Sequence, residues 1–329
     1  MGSRIARRLI VLLLVVAAAA IGAGVWLLVR PAPERTLIVG VDDDTLKWTP
    51  FPLTVVRRQR ALDADAVRVW VPWHNEIAPT AVRRVELSRA ETAARRTTVV
   101  LAVFGFGAQT PTADWQQRRF CGYARAALGL VPDARAVVVW NEANSRTYWR
   151  GTPAQYELLL ARCYDVLHSK HVQVLDSTAS AHAPLRFLAA LAAAYGESGR
   201  KKPIVDAFGH NPYPLTAAEP PTAVHRGDFL GEADYPRLVD ALEAFGRRPS
   251  IWYLEDGFQT DAITPAQQAR DVMAAIRMAA CQPLVHAFFN FELVDETRLA
   301  GWQSGLIWRG GKHKPAATAF ARAPRRCRT

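Results

Sequence analysis

Two glutamates stand where short apolar runs end, and paired carboxylates delivered to one place can divide acid/base and nucleophilic work between them. The run Ser250-Ile-Trp-Tyr-Leu closes on Glu255, and strand alternation puts Ile251, Tyr253 and Glu255 on one face. A carboxylate closing such a run costs free energy unless it is partnered or used, so Glu255 is a candidate reactive group, with a structural ion pair as the competing reading. A second run, Ala136-Val-Val-Val-Trp140, leads into Asn141-Glu142-Ala143-Asn144. Further polar groups follow other apolar runs: Asp42-Asp43-Asp44, Trp73-His74-Asn75-Glu76 and His210-Asn211-Pro212-Tyr213.

Eight β-branched runs must position these groups: Thr36 to Val41, Ala66 to Val71, Thr97 to Phe104, Ala136 to Trp140, Val172 to Ser177, Ile204 to Gly209, Ser250 to Glu255 and Leu284 to Phe291. Stretches with apolar residues at three- and four-residue spacing alternate with them, among them Gln155 to Leu167, Pro184 to Tyr195, Tyr235 to Phe245 and Pro265 to Ala280. Thr152-Pro153 and Thr264-Pro265 each place a cap residue before a proline suited to a first helical turn. Strand-helix alternation of this kind predicts an α/β fold with a parallel sheet, and eight units predict a closed (β/α)8 barrel over about 36–322, with 323–329 as a basic tail. In such a barrel the chemistry sits at the C-terminal ends of the strands, where all the polar clusters above fall.

The strings WNEAN after the fourth predicted strand, GHNPY after the sixth and YLEDG at the seventh resemble clan A of the glycoside hydrolases, in particular the cellulase-type family 5 and the β-xylosidase-type family 39. The resemblance spans the barrel to the final GLIWRGGKHKPAATAF. It implies retaining β-glycoside hydrolysis, with Glu142 as acid/base and Glu255 as nucleophile. It further implies that Asn141 contacts the 2-hydroxyl, Tyr213 orients Glu255, His210 lines the cleft and Arg68 supports the nucleophile's carboxylate. The carboxylate spacing of retaining enzymes, about 5–5.5 Å, leaves no room for a water beneath the anomeric carbon, so Glu255 attacks directly. The clan usually presents a Trp at the end of strand eight, whereas this chain reads Ala287-Phe288-Phe289-Asn290-Phe291-Glu292. Phe289 or Phe291 can take its place, and Trp73, Trp149, Trp302 and Trp308 are further candidates for stacking on a sugar, Trp73 and Trp302 first among them.

Several classes are excluded or disfavoured. Asp42 to Asp44 lack the alternating ligands and glycine turn of a calcium loop and are read as capping the next helix, and the histidines show no metal-ligand spacing, so neither metal nor cofactor is expected. Glu292, Asp295 and Glu296 are read as loop charges. The chain of 329 residues carries a formal charge of +11, but its arginines are scattered, which argues for solvated faces rather than nucleic-acid binding. Arg4, Arg7 and Arg8 precede an uncharged apolar run over 9–29, long enough to span a bilayer, and a linker over 30–35 follows. The positive-inside bias keeps 1–8 in the cytoplasm and exports the barrel, either as a single-pass membrane protein or, if cleavage occurs near Ala20 to Ala23, in secreted form. Cys121, Cys163, Cys281 and Cys327 then suggest disulfides, paired 121 with 163 on successive outer helices and 281 with 327. A monomer acting on a carbohydrate is expected. An inactive carbohydrate-binding barrel and a transglycosylase using the same site are the alternatives.

Overall fold

The computed structural model describes residues 35–246 and 250–327. The expected membrane segment at 9–29 lies outside them, and among the described residues no helix is long and apolar enough to cross a membrane.

The barrel strands are β1 (Ile38–Asp42), β2 (Ala66–Pro72), β3 (Thr98–Phe104), β4 (Ala136–Val139), β5 (Gln173–Asp176), β6 (Ala207–Asn211), β7 (Ser250–Asp256) and β8 (Val285–Asn290). All neighbours are parallel. The sheet closes because β1 pairs with β8 through Gly40 and Phe289, while β5 meets β6 through Leu175 and Ala207. A two-residue strand, Ala179–Ser180, lies along the end of β6. The helices that follow the strands in turn are α1 (Pro52–Ala61), α2 (Ala81–Ala94), α3 (Asp114–Leu130), α4 (Pro153–Leu167), α5 (Pro184–Glu197), α6 (Tyr235–Glu243), α7 (Pro265–Cys281) and α8 (Pro315–Arg322). The two proline starts behave as the sequence indicates. Thr152 accepts from the Gln155 amide and Thr264 from that of Gln267, each satisfying a donor that the first helical turn leaves open.

Because helices cover the outer face and side chains fill the interior, the strands are apolar on both faces; β3 is buried from Val99 to Phe104. Gly40 is required at one interior point, since a Cβ there would stand 2.5 Å from the Phe289 ring. Cys121 on α3 bonds Cys163 on α4, and Cys281 at the end of α7 bonds Cys327, as expected. Closing loops of 42 and 46 residues, each bridge removes about 4 kcal/mol worth of chain entropy from the unfolded state. Residues 323–327 of the expected basic tail are instead held against the barrel. The Leu37 amide donates to the Arg325 carbonyl at 2.8 Å, and Arg325 pairs with Asp63 and Asp65. Its carbonyl supplies an acceptor that the residue before β1 lacks, and its charge meets two carboxylates at the start of β2.

Candidate active site

The end of β4 turns through two left-handed residues, Trp140 at φ 71° and Glu142 at φ 38°, on either side of Asn141. Non-glycine residues adopt that region only when their surroundings hold them there, and here the surroundings are aromatic. The fully buried Trp140 ring packs against Trp73, Phe120 and Trp149, and its indole N–H donates to the Tyr148 carbonyl at 2.9 Å. The Ala143 amide donates to the Ser177 carbonyl, which ties the turn to the end of β5. Asn141 is thereby buried and Glu142 carried to the barrel mouth.

Glu255 reaches the same mouth by a different device. Simple alternation along β7 fails, because its pairing with β8 is irregular between Tyr253 and Asp256. Tyr253 points to the helical layer, donating to Gln282 just beyond α7 at 2.6 Å, whereas Glu255 meets Arg68 from β2. A bulge of this kind re-aims a side chain and ends regular pairing next to a site.

Arg68, 3 % exposed, organises the centre. Its Nη1 lies 2.8 Å from Glu255 Oε1 and 2.8 Å from Asp42 Oδ1, and its Nη2 donates to Asn141 Oδ1 at 3.2 Å. Ser177 Oγ donates to the same Asn141 oxygen at 3.2 Å, which fixes the amide with its Nδ2 as the donor side. The Tyr213 hydroxyl donates to Glu255 Oε2 at 3.2 Å. Burial and the Glu255 charge raise the Tyr213 pKa, so the phenol keeps its proton. Burial alone would lower the pKa of Arg68, but attraction to Asp42 and Glu255 outweighs it, and the guanidinium stays charged.

Glu142 has a different setting. Its Oε1 accepts from Asn211 Nδ2 at 3.0 Å, and no ion pair forms at its carboxyl among the described residues. Desolvation first, then repulsion from Glu255, raise its pKa to about 7, against smaller lowering effects of Asn211 and Arg68. At neutral pH one carboxyl of the pair therefore holds a proton half the time, while the other is bound by a cation and a phenol.

The expected site residues divide into two groups. Arg68, Asn141, Glu142, Tyr213 and Glu255 form one connected network. Trp302 joins its edge, with its ring 5.0 Å from Tyr213 and 5.2 Å from Phe291. Phe291 thus stands at the strand-eight position, while Phe289 is a core residue packed on Trp252. Trp73 corrects the sequence expectation. It is fully buried, edge-on to Phe120 and Trp140, and its indole donates to the Glu76 carbonyl, so neither ring face is open to a sugar. His210 is 1 % exposed, in the barrel wall with its ring 5.8 Å from that of Tyr253, rather than on an open cleft surface.

Four further residues belong to the site that sequence reasoning left out. Asn211 stood inside the quoted GHNPY string, and Tyr148, next to Trp149 after the fourth strand, carried no signal of its own. Burial followed by the charges of Glu255 and Glu142 raises the pKa of the Tyr148 hydroxyl, which places that hydroxyl beside the two carboxyls. Asp42 is the partner of Arg68 rather than a helix cap; at the start of a short helix, Thr45–Trp48, it is Asp43 that accepts from the Thr45 amide, at 2.9 Å. Glu292 is half-buried, and desolvation with the neighbouring Glu296 and Asp42 to Asp44 pushes it up to about 9. It is a neutral carboxyl at the mouth rather than a loop charge. Among the described residues no group of three or more His, Cys, Asp or Glu side chains converges as a metal site would.

No family model matches the sequence, and no curated protein matches it. Solved structures do. A family 39 glycoside hydrolase from Bacteroides cellulosilyticus WH2 superposes with a TM-score of 0.68 at 16 % identity, over 88 % of this chain and 64 % of that one. The chain therefore spans less than two thirds of that protein's length. A GH5_18 protein from Streptomyces cattleya, solved in complex with Manβ1-4GlcNAc, gives 0.64 at 20 % identity over 88 % and 80 %. A GH128 endo-β-1,3-glucanase from Amycolatopsis mediterranei, in complex with laminaripentaose, gives 0.52 at 15 % over 87 % and 98 %. At these identities the likeness is one of fold, and the fold is the barrel that the clan A resemblance implies.

Proposed function

We propose that the protein hydrolyses β-glycosides with retention of configuration, by double displacement. The observation that carries this reading is the unequal treatment of two carboxyls joined by one network. Glu142 is desolvated without a cation and sits near pH 7, which suits a group that must give and retake a proton. Glu255 is oriented through both oxygens, by Arg68 and Tyr213, which suits a group that must present one oxygen to carbon.

In the first step Glu142 donates its proton to the leaving oxygen as Glu255 attacks the anomeric carbon. Esterification removes the Glu255 charge that helped to raise the Glu142 pKa. Glu142 then ionises more readily and takes a proton from the water that breaks the ester. Trp302, Phe291 and Tyr213 form an aromatic edge against which a sugar's apolar face can rest, and Asn141 Nδ2 offers a donor to a hydroxyl. The solved relatives in fold include proteins bound to Manβ1-4GlcNAc and to a laminari-oligosaccharide, which supports a β-linked glycan as substrate class.

The place of action follows as part of the same reading. All four cysteines are paired, which fits an oxidising compartment, and the apolar segment at 9–29 serves as the anchor that holds the barrel outside the cytoplasm. The test is a panel of aryl β-glycosides and β-glycans, with proton NMR of the first-formed product. A β-anomer appearing first is expected; an α-anomer first would overturn the double displacement.

A further inference from the structure

Arg68 raises a problem that the proposed reaction must solve. Its guanidinium is almost wholly buried, and among the described residues it is the one ion-pair partner of both Asp42 and Glu255. In the resting site its Nη1 is shared at equal distance, 2.8 Å to Glu255 and 2.8 Å to Asp42. When a Glu255 oxygen bonds the anomeric carbon, the bond from that carbon to the leaving oxygen breaks and the leaving oxygen takes the Glu142 proton. Glu255 is then a neutral ester. A buried cation whose partner is neutralised is strongly destabilised unless another anion stands in contact with it.

We infer that Asp42 is a positioning residue that keeps Arg68 compensated and in place while Glu255 is esterified, an inference that rests on the double-displacement reading. The placement is specific. Asp42 ends β1, directly opposite Arg68 in the β1–β2 register, and the Leu293 amide donates to its carbonyl at 3.1 Å. One carboxylate oxygen, Oδ1, holds Arg68, and the residue is 8 % exposed, so solvent does not substitute for it. Burial first, and then the Glu255 charge, push the Asp42 pKa up while Arg68 holds it down, so esterification, which removes the Glu255 charge, makes Asp42 a firmer anion at the moment Arg68 needs one. Asp44, Tyr148, Tyr213, Glu142 and Glu292 are further titratable groups around the trio, and none of them is an ion-pair partner of Arg68 among the described residues. In the second step water gives a proton to Glu142 and its oxygen to the anomeric carbon. The ester bond breaks, and Arg68 is again shared between two carboxyls.

With Asp42 neutral, Arg68 opposes the loss of charge at Glu255 and favours its return, so the two chemical steps move in opposite directions. The full-length protein and its Asp42→Asn and Asp42→Glu variants are compared on 2,4-dinitrophenyl β-glycosides and their 2-deoxy-2-fluoro analogues, with the covalent adduct followed by intact mass. In Asp42→Asn the adduct should form about tenfold more slowly and, once trapped and freed of excess reagent, hydrolyse about tenfold faster, with Asp42→Glu close to wild type. Should Asp42→Asn fail to fold, the smaller neutral Asp42→Ser is read in the same way. Formation and hydrolysis slowing together, or neither changing, would overturn the inference while wild type still reacts. Wild type that neither turns over nor labels on any sugar of the panel would remove the glycosidase reading, and this inference with it.

Discussion

The ends of β4 and β7 deliver the same functional group to the same mouth and give it opposite surroundings. At β4 a left-handed turn braced by Trp140 presents Glu142 to a desolvated position with an uncharged amide for company. At β7 an irregular pairing turns Glu255 into a charge network with Arg68 and Tyr213. The side chains are identical, so any difference in role comes from what each backbone device places around them: burial without a cation stores a proton, and contact with a cation holds a carboxylate.

Exchanging or removing that difference tests it. The largest effect belongs to Glu255→Ala, which should lower turnover of every aryl glycoside by a factor on the order of 10⁴ or more. Glu142→Gln should cost about 10²–10⁴ with poor leaving groups and far less with dinitrophenyl ones in the glycosylation step. Rate constants for both variants across a leaving-group series decide the matter, and parallel losses would erase the distinction.

Arg68→Met should strip Glu255 and Asp42 of their shared cation and cost about 3–5 kcal/mol of stability, read from chemical denaturation. Stability unchanged by this variant would mean that the network is decoration.

Glu142 also ties function to pH. Its ordinary value is 4.5 and its folded value about 7, so between these the folded state binds more protons than the unfolded one. Its contribution is fully present below the lower value and is lost as pH rises through the upper. Glu142→Gln should therefore be more stable than wild type at pH 8 by about 2–3 kcal/mol, and the gap should shrink toward pH 5. The basic limb of kcat/KM should fall near pH 7 in wild type and vanish in the variant.

The smallest effects come from the two neutral partners. Tyr213→Phe should lower kcat/KM about tenfold by removing a hydrogen bond to a charged group. Asn211→Ala should move the basic limb to higher pH, because Asn211 lowers the Glu142 pKa. A shift in the other direction would show that the amide acts through packing instead.

The barrel was legible in sequence because it rests on short-range signals, β-branched runs and cap residues before prolines; the two glutamates were picked out by their place at the ends of apolar runs and by motifs that resemble clan A. The disulfide pairing followed once helices were laid in order around the barrel. What the sequence hid depends on contacts between distant strands. Asp42 looks like a capping residue because the chain turns directly after it, and only the β1–β2 register brings Arg68 to it. Trp73 looks like a platform because it follows a strand end, yet Trp140 and Phe120 claim its ring. Alternation along β7 fails where pairing with β8 is irregular, and a single strand read alone does not show that. Glu292 reads as a loop charge until the acids around it are counted in space.

The Arg325 clasp and the Cys281–Cys327 bridge sit at the foot of the barrel, where strands begin and helices end, at the opposite end from every residue of the network. This separation makes parts of the rim loops interchangeable in principle: with Tyr213, Phe291, Leu293 and Trp302 kept, the segments between them can be grafted, lengthened or randomised in a search for new sugar preferences while the fastening below stays untouched. Shortening the chain from its carboxyl end offers no such freedom, since losing a few residues there unlatches the first strand from the last helix.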